Sequence, residues 1–62
     1  MEYVNQRRVD RAKQLLLVEP RTKVHAIGRR VGFESDSYFA TVFKKFEGVS
    51  PRQFREANAN KA

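Results

Sequence analysis

The side chains of this sequence best placed to do chemistry lie between residues 36 and 46. Phe39, Val42, Phe43 and Phe46 recur at i, i+3, i+4 and i+7, the spacing of one apolar face of a helix. At 100° per residue this leaves Ser37, Ala40, Thr41 and Lys44 centred on the opposite face, with Asp36 and Lys45 at its margins. Those residue types suit recognition in a nucleic-acid groove. The Ser37 and Thr41 hydroxyls can donate or accept at base edges, the Ala40 and Thr41 methyls can meet a thymine methyl, and Lys44 can reach a guanine or a phosphate. Asp36 could accept a hydrogen bond from cytosine N4. Its place in a first helical turn favours a simpler role, facing the positive end of the helix dipole.

Catalytic chemistry finds no comparable set. The chain has no cysteine and a single histidine, His25, with no carboxylates clustered near it in sequence, so neither a metal site nor acid-base work is expected of it. A nucleophile paired with a base, or a glycine loop to cradle phosphate, cannot be assembled. Neither an enzyme nor a cofactor is expected.

Charge narrows the class of partner. Thirteen Lys and Arg against seven Asp and Glu give a formal +6 over 62 residues, an excess that points to a polyanion, nucleic acid before an anionic membrane. The excess is uneven. Residues 1–31 hold eight basic and three acidic side chains, and residues 32–62 hold five and four. The longest apolar run, Leu15 to Val18, falls far short of the roughly 18 residues of a membrane span. A membrane-surface peptide would need one continuous amphipathic helix, and Pro20, Gly32 and Gly48 divide this chain. No membrane partner is expected.

The elements that must position the 36–46 face can be read around it. Residues 3–18 lack Pro and Gly and predict a helix whose apolar arc is Val4, Val9, Ala12, Leu15 and Leu16, with Arg7, Asp10, Arg11 and Gln14 across from it. Tyr3 and Leu17 form a second, smaller apolar strip. A short helix over about 23–31 is expected next, with Thr22 as its N-cap and Val24, Ile27 and Val31 inward. Gly32 should end it in a left-handed conformation, letting Phe33 fold back on the stripe. After the recognition helix, about 36–46, Gly48 stops the run. Ser50-Pro51-Arg52-Gln53 then predicts a capped helix over about 51–57, anchored by Val49 and Phe54. The aromatic spacing on the third helix favours core packing over a base-stacking platform, and Tyr38 belongs at the rim of that core. Two helices joined by a few residues through Gly32 have the spacing of a helix-turn-helix, whose second helix enters the major groove. Thr22, Lys23, Lys45 and Arg52, near helix starts or at the groove-facing edge, are the phosphate-contact candidates. For Arg7, Arg8, Arg11 and Lys13 a solvated helix face competes with phosphate contact.

Three blocks together carry a resemblance. Val24-His25-Ala26-Ile27-Gly28-Arg29-Arg30-Val31-Gly32-Phe33, Ser37-Tyr38-Phe39-Ala40-Thr41-Val42-Phe43-Lys44-Lys45-Phe46 and Gly48-Val49-Ser50-Pro51-Arg52-Gln53-Phe54-Arg55 occur in order. This resembles the C-terminal signature of AraC/XylS-type bacterial transcription regulators, and Arg8 to Leu17 resembles the helix that precedes it. The resemblance implies sequence-specific binding of double-stranded DNA by a module of two helix-turn-helix units joined by a long helix, of which only the second unit is present here. It therefore implies an all-α chain, a long N-terminal helix followed by a three-helix, homeodomain-like helix-turn-helix unit. Residues 1–18 would be the linking helix, 19–57 the helix-turn-helix subdomain and 58–62 a disordered tail. The chain would be a C-terminal fragment or the product of a truncated gene, working in the bacterial cytoplasm at the nucleoid. Its expected partners are DNA, the missing N-terminal half of the module and, for an activator, RNA polymerase. The competing reading is a helical protein-interaction module with little DNA affinity alone. Thr41 stands where the family usually has a longer polar residue, often Arg. His25 and Gly28 stand where Ala is expected, and the link from Leu17 to Val24 is one residue longer than usual.

Overall fold

The structure, a computed structural model, describes residues 2–59. These form α1 (Glu2–Val18), α2 (Val24–Arg30), α3 (Asp36–Glu47) and α4 (Pro51–Ala59), and no strand occurs among the described residues. The all-helical expectation holds, with local differences at the ends. Pro20 closes α1 as the sequence predicts, the last bond running from the Glu19 N–H to the Leu15 carbonyl at 2.9 Å. Thr22 does not cap α2. Its hydroxyl donates instead to Glu19 Oε1 at 3.1 Å, and Lys23 occupies the cap position with no side-chain bond. A charged acceptor is the stronger competitor for that proton.

The end of α2 follows the glycine logic closely. Gly32 has φ +108°, its N–H donates to the Arg29 carbonyl at 3.1 Å, and the Phe33 N–H reaches back to the Gly28 carbonyl at 2.9 Å. This pair of bonds satisfies two orphan carbonyls and folds Phe33 into the core. Ser35 Oγ then accepts from the Tyr38 N–H at 3.2 Å to open α3. Gly48, at φ +80°, closes it. At α4 the Ser50 hydroxyl accepts from the Gln53 N–H at 3.1 Å, while Gln53 Oε1 accepts from the Ser50 N–H at 3.0 Å, a reciprocal capping box. The helix runs to Ala59, two residues past the expected end, and Asn58 Nδ2 donates to the Phe54 carbonyl at 2.8 Å. The expected tail therefore does not begin at Asn58, and its residues 60–62 lie outside the described ones.

The core is apolar throughout. Val9, Ala12 and Leu16 of α1 meet Ile27 and Val31 of α2, Phe33 of the turn, and Phe39, Val42 and Phe43 of α3, with Leu15, Val24, Phe46 and Phe54 packed at its rim. Phe33, Phe39, Phe43 and Phe54 form a chain of ring contacts with centroids 5.2, 5.8 and 5.6 Å apart. Each such pair adds about 0.5–1.5 kcal/mol beyond its buried area. Two expected core residues lie outside: Val4 is 40% exposed and Val49 37%. Val4 lies in the first turn of α1, and Pro51, two residues after Val49, is itself buried.

At Gly28, α2 approaches α3 closely. A Cβ there would lie 2.6 Å from Phe39 Cδ2, well inside contact distance, so the absence of a side chain is what lets the Phe39 ring lie on α2. α1 also fastens both ends of α3. Asn5 Nδ2 donates to the Tyr38 hydroxyl at 3.2 Å, and Lys13 Nζ pairs with Glu47 Oε1 at 3.2 Å. The contacts lie about 12 Å apart along α1 and about 13 Å along α3 at 1.5 Å per residue, so the two helices run in the same direction.

Candidate nucleic-acid interface

The face of α3 opposite the core carries the predicted residues. Ser37, Thr41 and Lys44 are exposed and Ala40 is half-buried between them. Their order follows from the buried stripe: once Phe39, Val42 and Phe43 are fixed inward, the intervening positions must face out. Except for Lys44 these side chains are short. A twelve-residue helix is about 18 Å long, and a major groove about 12 Å wide admits it as deeply as its outer side chains allow. The surface around Ser37, Ala40 and Thr41 bears no charge of its own, so it suits reading of hydrogen-bond and methyl patterns.

The margins are more engaged than the sequence suggests. Asp36 Oδ1 lies 3.9 Å from Arg29 Nε, both side chains more than half exposed, so this carboxylate has a cation beside it as well as the helix start. Lys45 is exposed, with its Nζ 5.9 Å from the Phe46 ring centroid. Tyr38 keeps its ring edge-on to Phe33 at 5.8 Å while its hydroxyl meets Asn5, which is the rim position expected of it. Lys23 and Arg52 are exposed on different helices and line one cleft, together with His25 and Arg55. The candidates thus divide spatially: Ser37, Ala40, Thr41 and Lys44 share one helix face, and Lys23 and Arg52 meet elsewhere, between α2 and α4.

On α1, Arg7 donates to the Tyr3 hydroxyl at 3.1 Å. Arg8 places its guanidinium 5.8 Å from the Phe33 ring centroid and against Gly32. Arg11 faces solvent. One polar network escaped the sequence reading altogether. Glu19 accepts from Arg30 Nη1 at 2.6 Å as well as from Thr22, and its carbonyl accepts from Arg55 Nη2 at 3.2 Å. The Arg30 hydrogen bond, then that of Thr22, holds the Glu19 carboxyl below the usual glutamate range. The partners are up to 36 residues apart, and no local periodicity marks such a contact.

Fold and face together define a helix-turn-helix unit: two helices joined by a five-residue turn, the second presenting a small polar surface away from a core that holds it rigid. The profile of a helix-turn-helix domain family matches residues 1–57. Over 48 residues the chain is 48% identical to the arabinose operon regulatory proteins of Salmonella typhimurium and Escherichia coli, a match covering 77% of this chain and 17% and 16% of theirs. It is 38% identical to the Escherichia coli HTH-type transcriptional activator RhaR over 60 residues, 97% of this chain and 21% of that protein. The Bacillus subtilis HTH-type transcriptional regulator YisR gives 37% over the same length, with the same coverage. The chain belongs to the AraC-type helix-turn-helix family, whose work is sequence-specific DNA binding in transcription regulation. It spans about a fifth of the length of the curated relatives it matches. No solved structure matches it. No helix among the described residues is long and apolar enough to cross a membrane.

Proposed function

We propose that this chain lays α3 in the major groove of duplex DNA, with Ser37, Ala40, Thr41 and Lys44 at the base edges and Lys23, Lys45 and Arg52 on phosphates. The observation that carries this reading is the outer face of α3: short, exposed side chains on a helix whose other face is locked into the core. Asp36, with Arg29 beside it, serves the start of α3 rather than a base. Phosphate accepts hydrogen bonds, and Thr22 would have to withdraw its proton from Glu19 to supply one, so it is not among the contacts.

In this reading α1 joins the unit to a second helix-turn-helix unit. Tyr3, 68% exposed, Leu17 and Val18, 71% exposed, supply apolar surface for a protein neighbour. The working place is the bacterial cytoplasm, at the nucleoid, and RNA polymerase is the further protein partner that a regulatory role brings. A pull-down without DNA separates that contact from the DNA-dependent one.

Selection from a pool of random duplexes, followed by titration at two salt concentrations, tests the proposal. With Lys23, Lys45 and Arg52 on phosphates, log affinity should fall against log salt with a slope of about −2.7. Retention of all sequences equally, by this chain and by a version joined to a second unit, would overturn sequence reading by α3.

A further inference from the structure

The turn between α2 and α3 is covered by a side chain of α1, that of half-buried Arg8. Its guanidinium lies 5.8 Å from the Phe33 ring centroid, within cation–π range, and a Cβ on Gly32 would lie 2.9 Å from its Nε. Gly32 thus does more than turn the chain: its missing side chain makes room for the guanidinium. Phe33 in turn touches two consecutive residues in the first turn of α3, its ring centroid 5.8 Å from that of Tyr38 and 5.2 Å from that of Phe39. Asn5, three residues before Arg8 and so on the same side of α1, donates to the Tyr38 hydroxyl at 3.2 Å. Arg8 through Phe33, and Asn5 directly, therefore converge on Tyr38.

Tyr38 stands between Ser37 of the outer face and buried Phe39. Whatever fixes Tyr38 also fixes the helical turn that presents Ser37, and with it Thr41 one turn further on. α1 packs on the core side of α3, so Asn5 and Arg8 stand behind the reading surface. Side chains that contact a ligand hold their geometry only when others, which do not touch it, lock them in place. We infer that Arg8 and Asn5 are positioning residues for sequence reading: they touch no base, and by holding Phe33 and Tyr38 they set the height and rotation of the first turn of α3. The inference rests on the groove reading above. It gives two residues of α1 a part in specificity and takes Arg8 out of the phosphate contacts.

NMR of the free protein gives the first test. Arg8→Ala and Asn5→Ala should each move amide signals over residues 32–38 and leave those over 52–57 in place; signals over 32–38 unmoved in both variants would overturn the inference. The second test compares binding to a duplex recovered by selection with binding to the same duplex changed at one base pair. Each variant should lose about fivefold in discrimination between the two, the low end of what one base-specific pair supplies, with the slope of log affinity against log salt unchanged. A slope shallower by about 0.9 in Arg8→Ala would put that side chain on a phosphate instead. Asn5→Ala removes no charge, so its loss of discrimination carries no such ambiguity. Lower melting temperatures with full discrimination would reduce both residues to stabilising contacts and defeat the positioning role, as would equal weakening on the two duplexes. A wild-type chain that binds both duplexes alike would remove groove reading itself, and the inference with it.

Discussion

On the inner side of α3, Phe39, Val42 and Phe43 are buried, and the rings pack against Phe33 and Phe54; on the outer side, Ser37, Thr41 and Lys44 face solvent. The two faces alternate along twelve residues of one helix, so stability and, in the proposed complex, selectivity are carried by neighbours in sequence that are strangers in space. The inner face tolerates little change, because each ring is wedged between others. Nothing in the packing constrains the identity of Ser37 or Thr41. A unit built in this way can change what it reads without changing how it folds, and substitutions on the two faces should have separable effects.

The sharpest test of that separation is Phe43→Ala. Phe43 is fully buried, and such a truncation costs about 3–5 kcal/mol, against a total of roughly 3–9 kcal/mol for a chain of this size. Circular dichroism should show most of the cooperative unfolding transition lost at room temperature. Gly28→Ala comes next. Its methyl would push the Phe39 ring off α2, at about 1–3 kcal/mol, visible as a lowered denaturant midpoint; an unchanged midpoint would contradict the close approach. Ser50→Ala removes one half of the α4 capping box and should cost about 1 kcal/mol.

Acid should act through Glu19. Because its folded-state pKa is lowered, the stabilisation it provides is complete above the ordinary glutamate value of about 4.3 and disappears as pH falls through the lower folded value. Glu19→Gln should flatten that acid limb in melting temperatures recorded from about pH 6 downward. The smallest effect on stability belongs to Thr41→Ala, within about 0.5 kcal/mol, yet it should reorder the duplexes recovered by selection. A loss spread evenly over all duplexes would erase the distinction between the faces.

Much of this was legible in the sequence, for identifiable reasons. The aromatic stripe of α3 has a clean helical period, so its inner and outer faces could be assigned residue by residue. Gly32, Gly48 and the Ser50/Gln53 pair mark helix ends through local geometry, and local geometry is what a sequence displays. Thr22 misled because a hydroxyl before a helix looks like a cap, and the carboxylate of Glu19 that outcompetes the backbone becomes its neighbour only once the turn has folded. Val49 misled because apolar character alone does not fix which way a residue in a turn faces. That Lys23 and Arg52 line one cleft, and that Arg55 reaches Glu19, depends on how α4 returns across the start of α2, while the Glu19–Arg30 contact depends on how the α1–α2 turn folds. Periodicity within single helices carries no such information.

The attachment of α1 to both ends of α3 has a mechanical consequence. A rod clamped at one point to the part it carries can swivel; clamped at Tyr38 and again at Glu47, it cannot. In the proposed complex, turning of α1 carries α3 with it, and the angular phase at which the unit meets the double helix follows from how α1 is held.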